Sequence, residues 1–169
     1  MNKPTVWIVD DDEAMRYALA WLFESRHHGV ACFASAEAFL AQFDPMQAGC
    51  LVLNVRMHGM SGLALFEKLM TLAYAPPVIF LTGHGDVPMA VTALKQGAAD
   101  FVEKPFSDNQ LVDLVERWLQ VDAQKRADYI RRQDTATKLA TLTPREVEVM
   151  QLILLGKLNK LIADDLAIS

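Results

Sequence analysis

Val6-Trp7-Ile8-Val9-Asp10-Asp11-Asp12 sets four apolar residues directly before three acids. An unbroken apolar run of this length reads as a strand covered on both faces, and the acids fall where such a strand ends. The pattern recurs along the chain. Cys50-Leu51-Val52-Leu53 ends in Asn54, Val78-Ile79-Phe80-Leu81 ends in Thr82, and Phe101-Val102-Glu103 ends in Lys104-Pro105. Candidate strands are therefore 5–9, 30–33, 50–53, 78–81 and 101–103. Between them, helical spacing sets Met15, Ala18, Leu19 and Leu22 on one face, and Phe39, Leu40 and Phe43 on a second. Leu63, Phe66, Leu69 and Met70 form a third face, and Val87, Ala90, Val91 and Leu94 a fourth. Ser35 and Asp86 suit helix N-caps, and Gly97 a helix stop. Strict alternation of strand and helix predicts an α/β fold with a doubly wound, five-stranded parallel sheet. In that architecture ligands meet the carboxyl ends of the strands, where the acids, Asn54, Thr82 and Lys104 all fall.

With 169 residues, 52% of them hydrophobic and 22% charged, the chain has room for one full domain and part of another. No apolar run approaches the roughly 20 residues that span a bilayer. The N-terminus lacks a basic flank with an apolar h-region, so no signal peptide and no membrane role are read, and the cytoplasm is the expected location. Cys32 and Cys50 lack metal-ligand spacing and read as buried, reduced thiols. Residues 1–106 carry 11 acids against 7 bases, residues 107–142 carry 6 of each, and residues 143–169 carry 4 acids and 3 bases. A nucleic-acid-binding tail is ordinarily basic, and this one is not.

From Ser107 the pattern becomes one long helix. Leu111, Leu114, Val115, Trp118 and Leu119 supply a face for the sheet, which thins beyond Gln120 to Ala123, Ala127 and Ile130. The helix is expected to run to about Lys138, as a solvated linker or a coiled-coil contact. Thr143-Pro144-Arg145-Glu146 is a capping box with Pro at the first helical position. It opens a helix expected to end at Gly156, followed by a second short helix from Asn159 to Leu166 and a turn at Ala167-Ile168-Ser169. The resulting expectation is a first domain over 1–120, a helical linker over 121–141 and a partial all-α unit over 142–169.

Taken in order, Val9-Asp10-Asp11-Asp12, Val52-Leu53-Asn54-Val55-Arg56-Met57, Met60-Ser61-Gly62, Thr82 through Ala90 and Glu103-Lys104-Pro105-Phe106 closely resemble the receiver domains of FixJ-type response regulators. Residues 142–169 resemble the first half of the LuxR-type helix-turn-helix found in the same regulators. The resemblance implies a two-component transcription factor, a regulator rather than a turnover enzyme, phosphorylated by a sensor histidine kinase. It implies Mg²⁺ held by Asp10, Asp11, residue 54 and the backbone carbonyl of Arg56, an oxygen set that suits a hard cation. Residue 54 would be the phosphoacceptor, Lys104 and the Thr82 hydroxyl would contact the transferred group, and Thr82 with Phe101 would form the switch. It further implies homodimers through the fourth-helix and fifth-strand face, near Val87, Val91 and Phe101, and DNA binding by a longer parent chain.

Two departures qualify this. Asn54 is an amide where the acceptor carboxylate belongs. It cannot form an acyl phosphate, and it should weaken Mg²⁺ binding. Either an engineered acceptor-to-amide change or a natural receiver working without phosphorylation explains it, and the intact remainder of the site favours the first. The recognition helix that would enter the major groove lies beyond Ser169, so the DNA-contacting residues are not identified and these residues alone are not expected to bind DNA. His58, standing where the family usually has proline, reads as a solvated loop residue, and Trp7 as a reporter near the site. Two other classes compete. One is a pseudo-receiver acting as a protein-interaction module; the other is a haloacid-dehalogenase-like phosphatase, weakly suggested by Asp10-x-Asp12. The placement of Thr82 and Lys104 favours the receiver.

Overall fold

A computed structural model describes residues 3–165, and the side chains of these except His84 and residues 157–165. Strands β1 (Thr5–Val9), β2 (Gly29–Phe33), β3 (Gly49–Asn54), β4 (Val78–Thr82) and β5 (Asp100–Glu103) form one parallel sheet in the order β2-β1-β3-β4-β5. Helices α1 (Glu13–Ser25), α2 (Ala36–Gln42), α3 (Gly62–Met70) and α4 (Val87–Lys95) connect the strands, and α5 (Asp108–Thr141) follows β5. The order reverses beside β1, so the carboxyl ends of β1 and β3 bound the crevice where such sheets take ligands.

The period of two along each strand divides the core. Trp7, Val9, Leu51, Leu53 and Phe80 face α2, α3 and α4, meeting Phe39, Leu65, Phe66 and Ala93. Val6, Ile8, Val52, Ile79 and Val102 face the other way, meeting Leu19, Leu22 and Phe23 of α1 and Leu111, Val112 and Val115 of α5. Full burial of side chains such as Phe66 and Phe80 contributes about 1.5–3 kcal/mol each. On α1 the buried face is Leu19, Leu22 and Phe23, with Ala18 exposed.

Local signals explain the element ends. The Asp12 carboxylate accepts from the amides of Ala14 and Met15 and caps α1, as Ser35 and Ser61 cap α2 and α3. Gly97 follows α4 at φ 114°, a conformation that favours glycine. Asp86 stands at the N-cap of α4, but its side chain makes no capping bond. Cys50 is buried as expected; Cys32 is exposed, because β2 is an edge strand and position 32, though on the α1 side of the sheet beside Arg16, lies at its margin.

The chain separates into two compact units, one reaching Arg126 and the other starting at Ala127. In the second, half of the expected capping box forms: the Glu146 amide donates to the Thr143 hydroxyl at 3.2 Å, while Glu146 Oε1 accepts from that hydroxyl at 3.0 Å rather than from the Thr143 amide. The expected break at Gly156 is absent. One helix, α6 (Pro144–Asp165), passes through it. A glycine inside a helix costs only about 1 kcal/mol relative to alanine, and the Leu152–Leu155 and Lys157–Leu161 flanks outweigh that. No described residue from 127 to 156 is buried, and Leu152, Ile153, Leu154 and Leu155 are exposed. The turn expected at Ala167–Ser169 lies outside the described residues.

Candidate functional site

β1 delivers Asp10 to the carboxyl edge of the sheet, where it is 1% exposed. β3 ends on Asn54 beside it, β4 ends on Thr82, and Lys104 follows β5 directly, its amide donating to the Thr82 carbonyl at 2.8 Å. The sheet thus converges four of the expected side chains from separate strands. Asp10 Oδ1 accepts from the Asp12 amide at 2.9 Å and from Asn54 Nδ2 at 3.3 Å. Asn54 Nδ2 also donates to the Arg56 carbonyl at 2.8 Å, and Asn54 Oδ1 accepts from Lys104 Nζ at 3.3 Å. Lys104 Nζ stands 4.0 Å from Asp10 Oδ2.

Two buried polar atoms have no hydrogen-bond partner here, Asp10 Oδ2 and Thr82 Oγ1. Asp11 makes no hydrogen bond to these four residues; its Oδ2 accepts from the backbone amide of the exposed His58 at 3.1 Å. Among the described residues no three His, Cys, Asp or Glu side chains are grouped to hold a metal ion. The oxygens present still suit a hard cation: two carboxylates, a backbone carbonyl and an amide, with the buried Asp10 Oδ2 accepting no hydrogen bond.

Burial pushes the Asp10 carboxyl above its ordinary range, and neighbouring Asp11 and Asp12 add to this; the Asp12 amide and the Lys104 ammonium oppose it with less effect. A carboxyl raised in the folded state binds its proton more tightly there than in the unfolded chain. Stability therefore falls as pH climbs from the unfolded value through the raised folded one. Asp10→Asn removes the charge and keeps an oxygen acceptor, so in EDTA at neutral pH its melting temperature should exceed that of the unaltered chain. A lower melting temperature would contradict a net cost of ionising Asp10.

The sequence reading missed the ties that hold the loops around this pocket. Arg56 Nε donates to Asp86 Oδ1 at 2.7 Å, which is why Asp86 does not cap its helix. The Met60 amide donates to Glu37 Oε1 at 2.8 Å. Gly62 packs against β3 so closely that a Cβ there would lie 2.1 Å from the Asn54 carbonyl oxygen. Only that glycine had a sequence signal, in Met60-Ser61-Gly62. Phe101 is half-buried on β5, packed against the α2–α4 side of the core. Trp7 is not beside the site: its ring lies over Gly49, at the far end of β3 from Asn54.

Residues 6–116 match the model of the response regulator receiver domain, and residues 140–169 match that of bacterial regulatory proteins of the luxR family. The transcriptional regulatory protein FixJ of Bradyrhizobium diazoefficiens is 40% identical over 169 residues, covering 99% of this chain and 82% of that protein. The C4-dicarboxylate transport transcriptional regulatory protein DctR of Rhodobacter capsulatus is 46% identical, covering 98% and 85%. Among solved structures, the response regulator StyR superposes with TM-score 0.85 at 42% identity, covering 99% of this chain and 85% of that one. Full-length FixJ from B. japonicum superposes with TM-score 0.69 at 39% identity, covering 100% and 83%. The chain belongs to the response regulator family, with a receiver domain followed by LuxR-type helix-turn-helix sequence. It is a two-component transcriptional regulator.

Proposed function

We propose that this regulator has a complete receiver pocket that takes no phosphoryl group, because Asn54 stands where the attacking carboxylate belongs. The observation that carries the reading is the seating of Asn54, at the end of β3 with Lys104 Nζ on Oδ1 and Asp10 beside Nδ2. A carboxylate at this position would attack phosphorus and form an acyl phosphate; a carboxamide is too weak a nucleophile for that. Lys104 would set a positive charge against the transferred group, and the partnerless Thr82 hydroxyl would donate to it. Asp10, Asp11 and the Arg56 carbonyl would hold Mg²⁺, more weakly here than with a carboxylate at 54, and bound Mg²⁺ supplies charge neutralisation for phosphoryl oxygens.

The partners of this reading are a sensor histidine kinase at the pocket and a second copy of the chain at the α4–β5 face. Met89 and Val91 are partly exposed on α4, and Phe101 is half-buried nearby. The work of the protein is regulation in the cytoplasm. In size-exclusion chromatography with acetyl phosphate and Mg²⁺, the unaltered chain should elute unchanged and Asn54→Asp should shift toward a dimer. A shift of the unaltered chain would refute the reading.

DNA binding by a longer chain would need the part of the helix-turn-helix that follows. Phosphate contacts dominate affinity for duplex DNA and need clustered bases. From Thr143 onward residues 1–169 carry only Arg145, Lys157 and Lys160. These residues alone should give no salt-resistant, sequence-selective gel shift, even as phosphorylated Asn54→Asp; such a complex would show that the DNA-reading element lies elsewhere.

A further inference from the structure

We infer that the Asn54 carboxamide does more than remove a nucleophile: its NH₂ group takes the cation's place and holds the receiver pocket in a metal-independent state. The inference rests on the assignment of Asp10, Asp11 and the Arg56 carbonyl as the cation-facing oxygens. Asn54 Nδ2 donates to two of these groups at once, Asp10 Oδ1 at 3.3 Å and the Arg56 carbonyl at 2.8 Å. The third, Asp11, has Oδ2 occupied by the His58 amide at 3.1 Å. Three N–H bonds, two from the Asn54 side chain and one from the His58 backbone, thus meet oxygens that a divalent ion would otherwise neutralise.

The amide orientation is fixed by its partners. Turned over, Asn54 would set Oδ1 against the Asp10 carboxylate and the Arg56 carbonyl, acceptor against acceptor. It would also set Nδ2 against the Lys104 ammonium, donor against donor, in place of the 3.3 Å bond now present. Two carboxylate oxygens remain for an ion, Asp11 Oδ1 and Asp10 Oδ2, the second buried and without a hydrogen-bond partner. An ion that also takes Asp10 Oδ1 or the Arg56 carbonyl competes there with the amide, and hydrogen bonds to charged groups are the strong ones.

This differs in sign from an Asn54 that merely ligates poorly. If Asn54 Oδ1 helps to bind the ion, shortening the side chain weakens binding. If Asn54 Nδ2 competes with the ion, shortening it strengthens binding. Isothermal titration of the full chain with Mg²⁺ reads the order directly. The expected order of affinity is Asn54→Asp first, then Asn54→Ala and Asn54→Ser, then the unaltered chain. The alanine and serine forms should bind roughly tenfold tighter than asparagine, the equivalent of one charge-assisted hydrogen bond. Melting curves in EDTA establish that each variant folds, and serine, too short to bridge both oxygens, stands in if alanine does not fold. Mg²⁺ should raise the melting temperature of the three variants more than that of the unaltered chain. Alanine and serine forms that bind as weakly as asparagine, or more weakly, would overturn the substitution of amide for ion. Absence of Mg²⁺ binding to Asn54→Asp would overturn the site assignment itself, and this inference with it.

Discussion

Asp122→Ala is expected to destabilise the first compact unit by about 3–5 kcal/mol in urea denaturation, because it leaves a buried cation without its partner. Asp122 is 1% exposed and Arg126 7% exposed, one turn apart on α5, with Arg126 Nε 3.5 Å from Asp122 Oδ2. Asp122 Oδ2 also accepts from the Gly49 amide at 3.1 Å, and the Tyr74 hydroxyl donates to Oδ1. The guanidinium lies 4.4 Å from the centre of the Tyr74 ring and donates to the Pro45 carbonyl at 2.8 Å. Burial and the adjacent Asp122 push the Tyr74 hydroxyl well above its usual range, so it remains a donor. Little slack exists nearby, since a Cβ on Gly49 would lie 2.2 Å from the Thr5 carbonyl oxygen. Replacing both charges with apolar side chains, Asp122→Leu with Arg126→Met, should restore much of the loss, as a paired replacement strands no charge. A single Asp122→Ala within about 0.5 kcal/mol of the unaltered chain would show that the pair is solvated rather than buried.

The second large effect is on chemistry. Asn54→Asp should convert a chain with no detectable phosphorylation into one that labels from acetyl phosphate in the presence of Mg²⁺. The rest of the pocket is already placed, with Lys104 Nζ 3.3 Å from the side-chain oxygen at 54 and the Thr82 hydroxyl buried without a partner. Adding Lys104→Ala to Asn54→Asp should slow labelling by roughly 10²-fold, the scale of removing one preorganised charge donor. Labelling at an unchanged rate in the double variant would remove Lys104 from the chemistry.

Strand-end residues were legible because two independent regularities coincide on them. Apolar runs mark buried strands, and open parallel sheets gather function at the carboxyl ends. Asp10, Asn54, Thr82 and Lys104 follow from that rule without any knowledge of their contacts. The Asp122–Arg126 pair was not legible: an i,i+4 charge pair looks the same on a solvated helix as on a buried one. Its burial comes from Tyr74 and Gly49, residues distant in sequence. Asp86 was misread because a local capping signal gave way to an ion pair with Arg56, also distant in sequence. Gly156 shows the reverse error, a local breaker overruled by the helix formers on either side. Asn54 was legible from type alone as an amide at a strand end, but the direction of its amide required Lys104 and the Arg56 carbonyl in place.

Intact-mass spectrometry after incubation with acetyl phosphate and Mg²⁺, run side by side on the unaltered chain and Asn54→Asp, tests the central claim most directly. In the proposed function residue 54 is the acceptor position and only its amide blocks transfer. The expected result is one added phosphoryl group on Asn54→Asp, lost on mild alkaline treatment as an acyl phosphate should be, and none on the unaltered chain. A phosphoryl group on the unaltered chain, or an adduct on Asn54→Asp that maps to another residue, would contradict it.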